Sequence, residues 1–389
     1  MAQNIKVIIG ASYGDEGKGL ATDYFGKNES GRTVNVLTNG GAQRGHTVEL
    51  SDGTRHVFKH FGAASFRGAS SYMARQFIVN PIQFIREHDE LKENGVHTDV
   101  FVHPKCRFTT PWDMLINQKL KKKSGINNTC GFGVWETVLR YNRGYGIDFV
   151  RAAAMERDER ITYLRNLRDG YFRTRMSELG LVPEKDDVFF SEGLLRHFEE
   201  DLMLMSALCH TAEYGLLKRY DTVLFENAQG LLLDGNRKGE EETTTPSTTG
   251  MGRIFRTIED TFTDADVEVC YITRSYQTRH GAGKMEEEIS KNDIKKILPG
   301  ITADMTNLTN GFQGALRYGK LVEDTLIERT IGDMKHCSGR KRNVYSPSLL
   351  VTHMNEYDNI DTERLSAAFK TLYLSDGRTA ESVYVDSRC

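Results

Sequence analysis

The stretch "IKVIIGASYGDEGKGLATDYFGK" (residues 5–27) decides the fold. Its apolar start reads as a short strand, Gly10, Gly14, Gly17 and Gly19 turn the chain, and the run from Lys18 reads as a helix. Backbone N–H groups at such a helix start favour an anion, and Lys18 adds a point charge. A polyphosphate suits that cradle. The loop is not a Walker A motif, because Ser12 and Gly19 stand where that pattern needs Gly and Ser or Thr. Two acids, Asp15 and Glu16, sit where phosphate should meet only positive charge. Asp15 suits either a hard oxygen ligand for magnesium or a base that takes a proton from a second substrate. Glu16 suits a turn-orienting role, and a plain glycine turn with solvated acids is the bland alternative.

Short β-rich runs recur along the chain: "TVNVLTNGG" (33–41), "FIVNP" (77–81), "DVFVHP" (99–104), "DTVLFENAQG" (221–230), "VEVCYITRS" (267–275) and "PSLLVTHMN" (347–355). Near-continuous apolar character fits strands covered on both faces, as in a parallel sheet. The fold class is therefore α/β, a large mostly parallel central sheet flanked by helices. Three- and four-residue apolar spacing predicts a helix over 191–220, and 151–180 reads as a charged helical excursion. Without a repeat or a clear linker, residues 1–389 read as a single elaborated domain. Two segments, 119–133 and 235–252, read as loops built for function.

The 389 residues, 39% hydrophobic and 27% charged with a net charge of -3, fit a globular enzyme and give no global reason to expect nucleic-acid or membrane partners. Six scattered cysteines form no C-x-x-C pair, so a zinc or redox motif is not indicated. The apolar run at the N-terminus is too short for a leader or a span, and the expected compartment is the cytoplasm.

The second strand leads into "NGGAQRGHTV" (39–48). Open α/β sheets bind ligands at the carboxyl edge of their strands, so His46 is expected near the first loop, as an acid or as a stabiliser of a developing oxyanion.

Taken together, "GDEGKG" (14–19), "GG-x-x-x-GHT" (40–47), "FENAQG" (225–230), "TTTPSTTG" (243–250) and "TRHGAG" (278–283) resemble the adenylosuccinate synthetase family in order and spacing, from about residue 5 to 355. The resemblance implies a ligase: a nucleoside triphosphate phosphorylates the 6-oxygen of a purine monophosphate, and the amine of L-aspartate displaces that phosphate. Asp15 matches the residue that takes the ring proton and also binds Mg2+, with the Gly45 carbonyl as a second magnesium contact. His46 matches the partner that neutralises the oxygen and the leaving phosphate. Donor-nucleotide contacts are implied for Gly14, Glu16, Gly17, Lys18, Gly19, Gly45, Thr47 and Asn355. Acceptor contacts are implied for Gln43, Thr129, Cys130, Arg143, Gln229 and Thr244, with Arg143 reaching across a homodimer interface. L-aspartate contacts are implied for Thr309, Gln313, Gly314 and Arg317, where a guanidinium would grip the carboxylate bidentately.

The sequence also departs from the family. Cys130 and Phe132 in "TCGFG" replace a threonine and an arginine, and the arginine-rich aspartate loop keeps only Arg317. "THMN" (352–355) stands where typical members read guanine with T-K-L-D. An Asn355 amide offers one donor and one acceptor, the pattern adenine satisfies, so the donor is expected to be ATP or dATP. The family's C-terminal G-P-D-R segment is expected to have no counterpart, since the chain ends "VYVDSRC". These changes resemble the phage branch that makes 2-aminoadenylosuccinate from a guanine monophosphate, and for such a protein the compartment is the host cytoplasm. An ordinary IMP- and GTP-using synthetase, and an inactive nucleotide sensor, are the alternatives; a GTPase switch fails on the missing Walker Ser/Thr.

Overall fold

Strand β1 (Asn4–Gly10) is buried from Val7 to its end. Ile5, Val7 and Ile9 enter one apolar cluster with Val34, Val223 and Val269, while Ile8 points the other way into a cluster with Leu20, Phe25 and Leu224. Both faces of the strand are therefore covered, as its unbroken apolar run requires. A computed structural model describes residues 3–29, 31–124 (backbone only for 121–124), 131–181, 188–237, 244–281, 283–302, 316–339 and 341–387.

The strands after β1 are β2 (Thr33–Leu37), β3 (His46–Glu49), β4 (Arg55–Phe58), β5 (Ser70–Met73), β6 (Ile78–Val79), β7 (Val100–Val102) and β8 (Arg107–Phe108). There follow β9 (His210–Thr211), β10 (Thr222–Gly230), β11 (Asp266–Arg274), β12 (Tyr276–Arg279), β13 (Arg317–Lys320), β14 (Val344–Thr352), β15 (Thr371–Ser375) and β16 (Val383–Val385). Ten of them form one sheet in the order β16-β15-β14-β11-β1-β10-β2-β5-β7-β9. Every pairing in it is parallel except β15 with β16. The expected fold class is thus the observed one.

That order sets the site. Gly10 lies opposite Gly230 on one side and Ile272 on the other, and Arg274 lies opposite Thr352. The loops after β1, β2, β10, β11, β14 and β15 all leave from the same edge, where an open parallel sheet forms a crevice. Helix α1 (Lys18–Asn28) starts in that crevice against β3. A Cβ on Gly19 would stand 2.3 Å from the Thr47 carbonyl oxygen, so only glycine permits the approach.

Some sequence expectations need correction. The predicted helix over 191–220 spans only Glu192–Leu208. Cys209 turns extended, and His210 and Thr211 then pair with Phe101 and Val102 at the sheet edge, so edge-strand bonding wins over helical periodicity. "FIVNP" contributes no strand to the main sheet, because Ile78 and Val79 pair only with Arg107 and Phe108. The chain turns at once into the helix Pro81–Glu93, whose first turn Asn80 caps by accepting from the Gln83 N–H. Of the two presumed loops, 119–124 closes the helix Pro111–Ser124 and 251–252 opens the helix Met251–Thr261, while 125–130 and 238–243 lie outside the described residues.

Gly19→Ala is expected to cost about 1–3 kcal/mol by forcing α1 away from β3. A shift of the urea unfolding midpoint to lower concentration checks it, and an unchanged midpoint would refute the close approach.

Candidate active site

The first loop holds its shape through the acid that seemed out of place. Glu16 is 3% exposed, and its Oε1 accepts from the N–H groups of Ser12 (2.7 Å) and Gly14 (3.0 Å). Its other oxygen lies 3.5 Å from Lys18 Nζ. Burial raises the carboxyl's pKa against the opposing pull of Lys18 and the two N–H groups. Glu16, expected among the donor-nucleotide contacts, ties the loop to itself and is not among the residues that line the cavity. Gly14 and Gly17 take φ values of 108° and 97°, a left-handed backbone that glycine adopts without strain. Gly17 caps α1 with no side-chain bond, so the first-turn N–H groups remain available to an anion. The Lys18 amine donates to the Gly14 carbonyl at 2.5 Å.

A single cavity runs along this edge. Gly14, Asp15, Gly17, Lys18, Gly19, Gly45, His46 and Thr47 line it. His353, Asn355, Glu356, Gly377 and Arg378 line it as well. Asp15 and His46, expected to meet on one ligand, do face a common space. Asp15 keeps 28% of its side chain exposed, with Oδ2 at 3.8 Å from His280 Nε2. The Asp15 carbonyl accepts from Arg274 Nε at 2.5 Å, and the Glu16 carbonyl accepts from the Thr352 hydroxyl at 3.0 Å.

His46 is held from behind. Its Nδ1 touches the carboxylate of Glu226 on β10, and Arg44 Nη2 lies 2.7 Å from both Glu226 Oε1 and His46 Nδ1. The Ala63 N–H donates to the other Glu226 oxygen at 3.1 Å. A carboxylate can only accept, so the Glu226 contact favours the ring hydrogen on Nδ1 and the lone pair on Nε2, against the competing Arg44 donor at the same nitrogen. Burial, aided by the Arg44 charge, lowers the His46 pKa to about 4. Burial works against ionisation of Glu226 too, but Arg44 and His46 overcome it and hold that carboxyl down at about 2. The resting site therefore contains a neutral imidazole beside a fixed ion pair. Glu226 stands in the quoted "FENAQG", yet nothing in the sequence marked it as the partner of His46.

Other expected residues fall in different places. Gln229 ends β10 in a left-handed conformation (φ 67°), and its backbone lies 3.2 Å from where a Cβ on Gly14 would stand. Gln43 sits on the β10 side of the loop after β2, close to Gly40 and Gly41, and its Oε1 is buried with no partner among the described residues. Thr244 is half-buried, just before Thr245, whose N–H donates to the Leu233 carbonyl. Arg143 is remote from the Asp15 cavity; it pairs with both Glu178 oxygens and lines a second cavity with Tyr145, Tyr163 and Tyr171. Thr129, Cys130, Thr309, Gln313 and Gly314 lie outside the described residues.

Arg317, expected to meet the L-aspartate carboxylate, lies on β13. Its Nε and Nη2 grip Glu288 at 2.8 and 2.5 Å, and Nη1 donates to the carbonyls of Gly281 and Gly283. The guanidinium thereby ties β13 to the loop after β12. Gly377 and Arg378, just past β15, line the cavity together with Asn355. His353 takes φ 63°, a strained conformation of the kind that gathers at ligand sites.

The donor set suits magnesium bound with a polyphosphate. Asp15 offers a partly exposed carboxylate and Gly45 a carbonyl on the cavity wall, both hard oxygens. Among the described residues no three His, Cys, Asp or Glu side chains form a metal cage, and magnesium held by substrate phosphates needs none.

A family model described as adenylosuccinate synthetase matches residues 7–310. The adenylosuccinate synthetase of Acaryochloris marina is 26% identical over 293 residues, 73% of this chain and 62% of that protein. The chain thus spans under two thirds of that relative's length. The fully ligated adenylosuccinate synthetase of Plasmodium falciparum superposes with a TM-score of 0.74 at 14% identity, covering 99% of this chain and 100% of that one. The cyanophage S-2L succinoaminodeoxyadenylate synthetase, bound to dGMP and to dATP as an energy donor, gives 0.64 at 13% identity, covering 99% and 96%.

The depressed His46 pKa carries a sign. An unfolded histidine takes its proton near pH 6.5, whereas folded His46 resists until about 4, so the unfolded state binds more protons between these values. Stability should therefore fall as pH drops from 6.5 towards 4, by on the order of 3 kcal/mol from this group. Urea titrations of His46→Gln should show a flatter slope from pH 6.5 to 4.5, above the range in which Glu226 contributes. Parallel slopes for the two proteins would contradict a buried neutral ring.

Proposed function

The chain belongs to the adenylosuccinate synthetase family, and on that premise we propose that it joins L-aspartate to the 6-position of a purine nucleoside monophosphate through a 6-phosphoryl intermediate. The observation that carries this reading is the convergence of Asp15, His46 and the Lys18 loop on one cavity at the carboxyl edge of the sheet. Asp15 takes the proton from the ring nitrogen next to the 6-oxygen. That oxygen attacks the terminal phosphorus of the donor, whose phosphates lie on the first turn of α1 with Lys18, and the nucleoside diphosphate leaves. The aspartate amine then attacks carbon 6, and inorganic phosphate departs with the former 6-oxygen. His46 enters neutral. Negative charge arriving with the phosphoryl group raises its proton affinity, and Nε2 can then donate to the oxygen that carries the charge. Magnesium held by Asp15 and the Gly45 carbonyl would supply charge neutralisation for the donor phosphates.

For the acceptor we favour GMP or dGMP, giving 2-amino-(deoxy)adenylosuccinate. One carboxylate at Asp15 serves a guanine ring N–H and its neighbouring amino group together. For the donor we favour ATP or dATP, on the chemistry of the Asn355 amide. The dGMP and dATP bound to the cyanophage protein make this branch concrete. The alternative, IMP with GTP, is supported by relatives that bear the plain synthetase name. A sensor without catalysis needs neither Asp15 nor a Glu226-backed His46. Arg143, which lines the second cavity and pairs with Glu178, is assigned on the family resemblance to a partner's acceptor phosphate in a homodimer.

Asp15→Asn is expected to abolish turnover with nucleotide binding retained, and unchanged turnover would remove Asp15 as the base. A matrix of ATP, dATP and GTP against IMP, GMP and dGMP with L-aspartate, read by mass of the succinylated product, tests both substrate choices. Asn355→Asp should move donor preference towards GTP by about tenfold, and a preference that stays put would refute the reading of Asn355.

A further inference from the structure

The floor of the cavity contains a connected set of polar groups outside the phosphate loop. Arg274, at the end of β11, is 5% exposed and donates through Nε to the Asp15 carbonyl at 2.5 Å. Its Nη1 reaches the Tyr276 hydroxyl at 3.4 Å, and its guanidinium lies 5.8 Å from the centre of the Tyr276 ring. The Tyr276 hydroxyl, on a residue 1% exposed, donates to Glu356 Oε2. The second Glu356 oxygen accepts from the Thr302 hydroxyl at 2.5 Å. Asp15, Arg274, Tyr276, Thr302 and Glu356 all line the same cavity, and Glu356 follows Asn355 directly.

A buried guanidinium costs free energy unless its donors and its charge are met. Two contacts of Arg274 run to the backbone of the proposed base and, through the Tyr276 hydroxyl, to the Glu356 carboxylate. The connection crosses three separate chain segments, so local folding does not produce it. On the reading above, a nucleobase at Asn355 would sit beside the next residue, Glu356, and a shift of that carboxylate would pass through the Tyr276 hydroxyl and Arg274 to the Asp15 carbonyl.

We propose that Arg274, Tyr276 and Glu356 form a positioning strut that couples a donor base at Asn355 to the placement of Asp15. This rests on the functional reading above. Arg274 acts through Asp15 and is a positioning residue. Binding free energy from a part of the donor remote from the reacting phosphorus is thereby used at the reacting centre.

The test uses Tyr276→Phe, which removes the hydroxyl and keeps the ring under Arg274. Steady-state rates with ATP, the best acceptor and L-aspartate should show kcat down about tenfold or more with the KM for ATP within about threefold, because misplacing a base lowers rate more than binding. Calorimetric titration of the acceptor should be tightened by a non-hydrolysable ATP analogue in the parent and not in Tyr276→Phe. Glu356→Gln keeps an acceptor oxygen for Tyr276 and should retain more activity than Glu356→Ala. The proposal is overturned by unchanged kcat in Tyr276→Phe, by equal coupling in both proteins, or by equal losses in the two Glu356 variants. If Asp15→Asn leaves turnover unchanged, the functional reading itself fails; if Asp15→Asn is dead and Tyr276→Phe is normal, only the strut fails.

Discussion

Everything at this edge of the sheet depends on the buried Glu16 carboxylate meeting the N–H groups of Ser12 and Gly14. A loop of small residues leaving a buried strand has many conformations open to it, and an internal acceptor selects one by satisfying donors that water cannot reach. The cost is a carboxylate in a low-dielectric position. Lys18 and two backbone donors offset part of that cost, and burial still keeps the pKa raised. With Glu16 turned inward, its neighbour Asp15 faces the cavity. Adjacent acids thereby turn opposite ways, one into the loop and one to the cavity wall.

The same economy of buried charge recurs nearby with a different outcome. Glu87 accepts from the N–H groups of Lys59 and His60, each at 2.7 Å, with His56 and His60 at 3.6 Å, and burial is overcome so that its carboxyl falls to about 2. Glu226 reaches a similar value through Arg44 and His46. Glu16 has one cation at 3.5 Å and does not. The hydrogen-bond donors and charges gathered on each carboxylate, set against its burial, decide whether a buried acid stays ionised or becomes harder to ionise. For His46 the arrangement sets a neutral resting ring.

Much of this was legible in residues 5–27. A strand of apolar residues, glycines at the turns and a lysine opening a helix have local causes, and β1 and α1 formed as that stretch implied. His46 was placed beside the first loop by the rule that parallel strands open ligand sites at one edge, and the sheet order bears out the edge. The helix over 191–220 failed at Cys209, since pairing with β7 is a long-range event that periodicity does not register. The Arg317–Glu288 pair was illegible for a similar reason: a guanidinium suits any carboxylate, and only the approach of β13 to the loop after β12 brings this one within reach.

By itself the sequence determined the α/β class, the glycine loop between β1 and α1, the meeting of a carboxylate and an imidazole at one sheet edge, and the family. These are carried by residue types at short spacings, where chemistry and backbone geometry are local. Tertiary structure alone decided that Glu16 faces inward, that Glu226 and Arg44 stand behind His46, that Gly377 and Arg378 line the cavity with Asn355, and that Arg274 reaches back to Asp15. Each of those joins segments tens to hundreds of residues apart, and a hydrogen bond over such a separation exists only after the sheet has set which strand ends are neighbours.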